Sequence, residues 1–188
     1  MKKLLSIVLC LVFVFSFTAC GDKKSEGELD VDVEYYAKLG QIADVDYTLG
    51  GDVDDAKKSL EADDNAKAEA AAEGEHVHAG FSEYPAGKYT VMSDGSVACC
   101  YETDKKNNGI THIVKYGDAY GFYQGAISTQ VRDTMSDLGF DATERDAEKG
   151  ELFFLPGSVG LTVLEYKIKD TAVLFVFAEH ALSATVIY

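Results

Sequence analysis

Tryptophan is absent from this sequence, and cysteine and histidine occur only four times each. The cysteines stand at positions 10, 20, 99 and 100, so the body of the chain holds only an adjacent pair. That excludes a disulfide framework. Neighbouring residues on a strand point to opposite faces, so a bond between Cys99 and Cys100 would require a distorted backbone. The expectation is one core cysteine, Cys99, beside one half-exposed cysteine. The familiar catalytic signatures are missing too. There is no Gly-x-Ser-x-Gly elbow, no phosphate-binding loop and no His-Glu-x-x-His zinc pair. No cofactor is implied, and the chain does not read as an enzyme. Basic residues are in short supply, 17 against 32 acidic ones, for a formal charge of −15. Nucleic acid and anionic lipid both demand positive patches, so neither is an expected partner surface.

What the chain does have begins at its start. Lys2 and Lys3 precede an apolar run from Leu4 to Phe17, interrupted only by Ser6 and Ser16. Thr18, Ala19 and Cys20 follow, then the polar stretch Gly21-Asp22-Lys23-Lys24. Basic, apolar and small-residue regions in that order make a secretory signal peptide. The apolar run is shorter than the roughly 20 residues that span a bilayer. Phe17-Thr18-Ala19-Cys20 resembles the lipobox of bacterial lipoproteins, departing from it at Phe17, where that family usually has Leu. The resemblance covers the leader alone. It implies a diacylglyceryl group on the Cys20 sulfur, cleavage before Cys20, and a membrane-anchored protein on the extracytoplasmic face. Two acyl chains, at about 0.8 kcal/mol per buried methylene, suffice to hold a domain on a bilayer.

The full 188-residue chain is 47% hydrophobic, so its bulk, after loss of residues 1–19, reads as globular. Residues 20–44 read as the lipidated cysteine and a flexible tether. The first folded unit spans 45–125 and the second 126–188. In the first, Val53, Ala56 and Leu60 share one helical face after an acidic first turn from Asp52 to Asp55. An acidic, alanine-rich insertion near 62–78 has no apolar stripe. Strands follow at Lys88 to Met92, Ser96 to Thr103, Ile110 to Tyr116 and Ala119 to Gln124. Asp94-Gly95 marks a tight hairpin turn.

In the second unit, Ser128 is a natural helix cap, Val131, Met135 and Leu138 fall on one face, and Gly139 closes the helix. Strands are expected at Glu151 to Leu155, Gly160 to Ile168, Ala172 to Ala178 and Leu182 to Tyr188. The stretch from Phe140 to Gly150 reads as irregular. The two units echo each other. Gly95-Ser96-Val97 through Tyr101 parallels Gly157-Ser158-Val159 through Tyr166, and Ile113-Val114 parallels Phe175-Val176. The fold class is therefore α+β: two tandem units of one helix plus about four antiparallel strands, with both helices on one face of a wide antiparallel sheet. This arrangement, from about Val45 to Tyr188, resembles that of β-lactamase inhibitor protein and of small surface lipoproteins. The resemblance is architectural and implies no functional residues.

Two stretches are candidates for function. His76 and His78 lie two apart beside Glu73 and Glu75, a spacing that puts both imidazoles on one side of an extended segment, where they can share a metal. In Ala172 to Ala178 both faces are apolar, whereas a sheet covered on one side presents a polar second face. Either a loop such as Phe140 to Gly150 covers that face, or it is an exposed surface that binds a protein partner. In the exposed case Leu161, Val163, Leu174 and Val176 would line it, with Tyr116 and Tyr123 as aromatic anchors. A protein- or peptide-binding module is the leading expectation, and a metal-dependent role through His76 and His78 the alternative. The sequence does not set the oligomeric state.

Overall fold

The computed structural model of the chain describes residues 29, 31–62, 69–76, 87–102, 109–147, 151–152, 155 and 160–188. Among the described residues eight strands form one antiparallel sheet: β1 (Glu69–His76), β2 (Gly87–Ser93), β3 (Val97–Glu102), β4 (His112–Tyr116), β5 (Thr143–Asp146), β6 (Thr162–Ile168), β7 (Thr171–Ala178) and β8 (Ala181–Ile187). Their order is β1-β2-β3-β4-β8-β7-β6-β5. Successive hairpins run inward from both edges, and β4 meets β8 at the centre through Ile113 opposite Ile187 and Val114 opposite Val186. The described residues also form α1 (Val33–Lys38), α2 (Val53–Ala62) and α3 (Ser128–Asp137). The chain is thus α+β with an antiparallel sheet.

The central strands are apolar on both sides because both sides are buried. On one face Cys99, Ile113, Leu164, Tyr166, Phe175, Phe177 and Ile187 pack with Val33 and Ala37 of α1, Ala56 of α2, and Val131 and Met135 of α3. Phe175 sits among aromatic rings, edge-on to Phe122 at 5.2 Å and to Tyr166 at 5.8 Å. The other face carries a smaller cluster of Val91, Ala98, Cys100, Val114, Val163, Leu174, Val176, Ala184 and Val186. Cys99 and Cys100 therefore lie on opposite faces, and both are fully buried, so the expectation of a half-exposed member is corrected.

Several local expectations change. The tether was expected to run to residue 44, but α1 begins at Val33, and Ile42 and Ala43 are buried in the core. The alternation of acid and valine over Asp30-Val31-Asp32-Val33-Glu34 suits a strand edge or a continuation of the tether. In fact Asp32 caps the helix, accepting the Tyr35 N–H at 2.9 Å, and Val33 and Ala37 form its buried stripe. The acidic, alanine-rich stretch contributes β1, an edge strand whose pairing with β2 is carried by backbone groups. The expected strand over Ala119 to Gln124 is a tight irregular turn, with Tyr120 at φ 53° and Gly121 at φ 84°. The strand expected over Glu151 to Leu155 is instead a turn at its described residues, with Leu155 N–H donating to Leu152 O. In α3, Val131 and Met135 are buried, but Leu138 is 46% exposed: it is the C-terminal cap and has turned off the buried stripe.

The sequence parallel likens β3 to β6 and β4 to β7, but β3 is third and β4 fourth from one edge of the sheet, whereas β6 is second and β7 third from the other. Successive hairpins of alternating apolar strands look alike, so the pattern slips by one strand without penalty.

One glycine is dictated by a close approach. Gly50 N–H donates to Ile110 O at 2.7 Å and Ile110 N–H to Gly51 O at 3.0 Å. A β-carbon at Gly109 would stand 2.5 Å from the Gly50 carbonyl oxygen, so only glycine lets these backbones touch.

Candidate functional site

The second face of the sheet is closed by the chain that follows β5. Leu152 is fully buried within the cluster of Val163, Leu174 and Val176, and Ala147, Leu155 and Leu161 pack around it. Arg145 on β5 anchors this segment. Its guanidinium forms a two-pronged pair with Glu151, Nη1 donating to Oε2 at 2.7 Å and Nη2 to Oε1. It also donates to Glu165 Oε2, from Nη2 at 2.9 Å and from Nε at 3.2 Å. All three side chains are nearly buried, at 11%, 1% and 7% exposure. The bonds to Glu151, opposed by burial and aided by Glu165, push the Arg145 pKa further above its ordinary value, so it stays a cation.

This arrangement decides where the candidate patch lies. Val163, Leu174 and Val176 are completely buried and Leu161 is half-buried at the edge. They are core side chains and not an open binding face. Tyr116 is half-buried against the same cluster, where burial raises its phenol pKa. Tyr123 lies elsewhere, 55% exposed in the turn before α3, its hydroxyl donating to Gln130 Oε1 at 3.3 Å. The six residues do not form one surface.

The histidine reading is only partly placed. His76 ends β1 opposite Gly87, while His78 lies outside the described residues, as does Cys20. Among the described residues no three His, Cys, Asp or Glu side chains converge as metal ligands. His112 is fully buried on the second face, edge-on to Tyr89 at 5.4 Å and 5.2 Å from Tyr188. Thr111 Oγ1 donates to Cys100 O at 2.9 Å and lies 2.9 Å from His112 Nδ1. The ring is held as a packing element.

What the sequence did not reveal is a groove beside the start of α1. An open hollow of about 410 Å³ is lined by Leu29, Val31, Asp32, Val33 and Glu34 on one side and by Leu138 and Phe140 on the other. It forms because α1 begins where α3 ends. Gly139, at φ 87°, reverses the chain after α3 and Phe140 N–H donates to Met135 O, which brings Leu138 and Phe140 to the groove wall. The carboxylates belong to α1: Asp32 caps it and Glu34 pairs with Lys38 one turn on. The sequence signal was present in the pair Val33 and Ala37, but the acid–valine alternation masked it.

Comparison with protein families, with curated proteins and with solved structures finds no match. No helix among the described residues is long and apolar enough to cross a membrane.

Proposed function

We propose that this chain is a lipoprotein held on the extracytoplasmic face of the cell membrane through Cys20, and that its domain is a non-enzymatic module binding a protein or peptide. The observation that carries the anchor is the sequence of regions at the start of the chain: Lys2-Lys3, the apolar run from Leu4 to Phe17, then Thr18-Ala19-Cys20. The binding role draws support from the surface. Tyr35, Leu39, Tyr123, Ile127 and Leu138 are large apolar side chains about half exposed, among the described residues, on an otherwise acidic chain.

The same reading takes the sheet as two tandem helix-plus-strand units. The strand order supports it: β1 to β4 follow α2, β5 to β8 follow α3, and each set runs from an edge to the centre. Ala56 of α2 and Met135 of α3 belong to one buried cluster, as helices on a common face would.

Metabolic labelling with a fatty acid tests the anchor. Label should appear on the wild-type chain and vanish in Cys20→Ala; label retained in that variant refutes it. Metal analysis of the purified chain tests the alternative, since stoichiometric zinc lost on replacing both His76 and His78 would favour a metal-dependent role.

A further inference from the structure

We propose that the groove between α1 and the end of α3 binds an extended peptide segment whose apolar side chains are flanked by Lys or Arg. This rests on the reading of the chain as an interaction module and names the partner chemistry that the module would take.

The groove wall mixes apolar side chains with the two carboxylate residues Asp32 and Glu34. Leu29, Val31, Val33, Leu138 and Phe140 supply the apolar part, and Val33 forms a fully packed floor at 1% exposure. Leu138 is 46% exposed at the wall, so covering it would remove apolar surface from water. The volume of about 410 Å³ lies at the small end of ligand sites and suits a few side chains, not a folded domain.

The rim is anionic. Asp32 and Glu34 line the groove directly, and Asp137 and Asp141, both exposed, flank Leu138 and Phe140 in the chain. Lys38, paired with Glu34, is the cation beside them. A groove that sets apolar side chains beside carboxylates is complementary to a segment of mixed apolar and basic residues, and the acidity of the whole chain would steer such a segment toward it. The same charge disfavours anionic lipid as the occupant.

The test uses the full chain in lipid nanodiscs, titrated with fluorescent peptides of the patterns Lys-Leu-Leu-Lys, Glu-Leu-Leu-Glu and Lys-Ser-Ser-Lys. The first should bind best, and binding should weaken as salt rises. Leu138→Ser and Glu34→Lys should each weaken it about tenfold or more. Ile127→Ser changes an equally exposed apolar side chain at the other end of α3 and should leave binding unchanged. Unchanged thermal melting of the variants excludes unfolding as the cause. Equal binding of the acidic peptide, equal loss in Ile127→Ser, or no binding of any peptide would overturn the proposal. A photo-crosslinker at residue 138 and another at residue 127, used in intact cells, separate the two readings. A protein captured only from residue 127 would refute the groove and keep the module, whereas capture from neither would count against both.

Discussion

Arg145 and Glu151, six residues apart, meet in a two-pronged ion pair at 11% and 1% exposure, and that pair fastens Leu152 onto the second face of the sheet. Charges taken out of water are tolerated only when well paired, and Glu165 adds a second carboxylate to the same guanidinium. Removing the arginine takes from two nearly buried carboxylates the cation that they share. Arg145→Ala should therefore cost about 3–5 kcal/mol in urea denaturation. A loss within the 0–1 kcal/mol of an exposed pair would show that the cover is not fastened this way.

Met135 and Leu138 make a second comparison. Both sit on the apolar stripe read from the sequence, but Met135 is fully buried and Leu138 is 46% exposed. Met135→Ala should cost about 2–5 kcal/mol. Leu138→Ala should stay within about half a kcal/mol, as surface changes do. Equal losses in equilibrium unfolding would contradict the placement of α3.

These residues show how far the sequence carries. Spacing located α2 and α3, and the strands β6 to β8 announced themselves, β7 by being apolar on both faces, because periodicity reports which side chains avoid water. It does not report where a helix stops being buried, and Leu138 lies beyond that point. Nor does it reveal elements held by backbone bonds, such as the edge strand β1, or a short capped helix such as α1. The groove depends on α1 and α3 meeting through chain reversals, so no local pattern encodes it. The Arg145 cluster joins two strands and a turn at separations that sequence spacing does not link.

The β2–β3 hairpin predicts an acid-sensitive turn. Burial raises the Asp94 pKa, but the backbone N–H groups of Val97 and Ser96 and the Ser96 hydroxyl outweigh it, leaving the carboxyl below its ordinary value of 3.8. A lowered folded-state value stabilises the chain above the unfolded value, and that contribution fades as pH falls through the folded one. The stability gap between wild type and Asp94→Asn should be constant above about pH 5 and shrink below 3.8. A gap that grows on acidification would contradict the bonding of the turn.

The two thiols of the sheet should be inert in the native chain. Burial pushes Cys99 up to about 12 and raises Cys100 well above its ordinary value, so little thiolate forms near neutrality. Iodoacetamide should modify neither until denaturant is added, as read by mass spectrometry. Rapid native labelling of either, or a disulfide between them, would contradict their burial on opposite faces.

The mass of the N-terminal peptide tests the account most directly. The chain, expressed in a bacterium and purified from its membranes, should give a first peptide that begins at Cys20 and carries a diacylglyceryl group on the sulfur. A peptide that begins at Met1, or one in which Cys20 is unmodified, would contradict the anchor and with it the placement of the domain at the membrane surface.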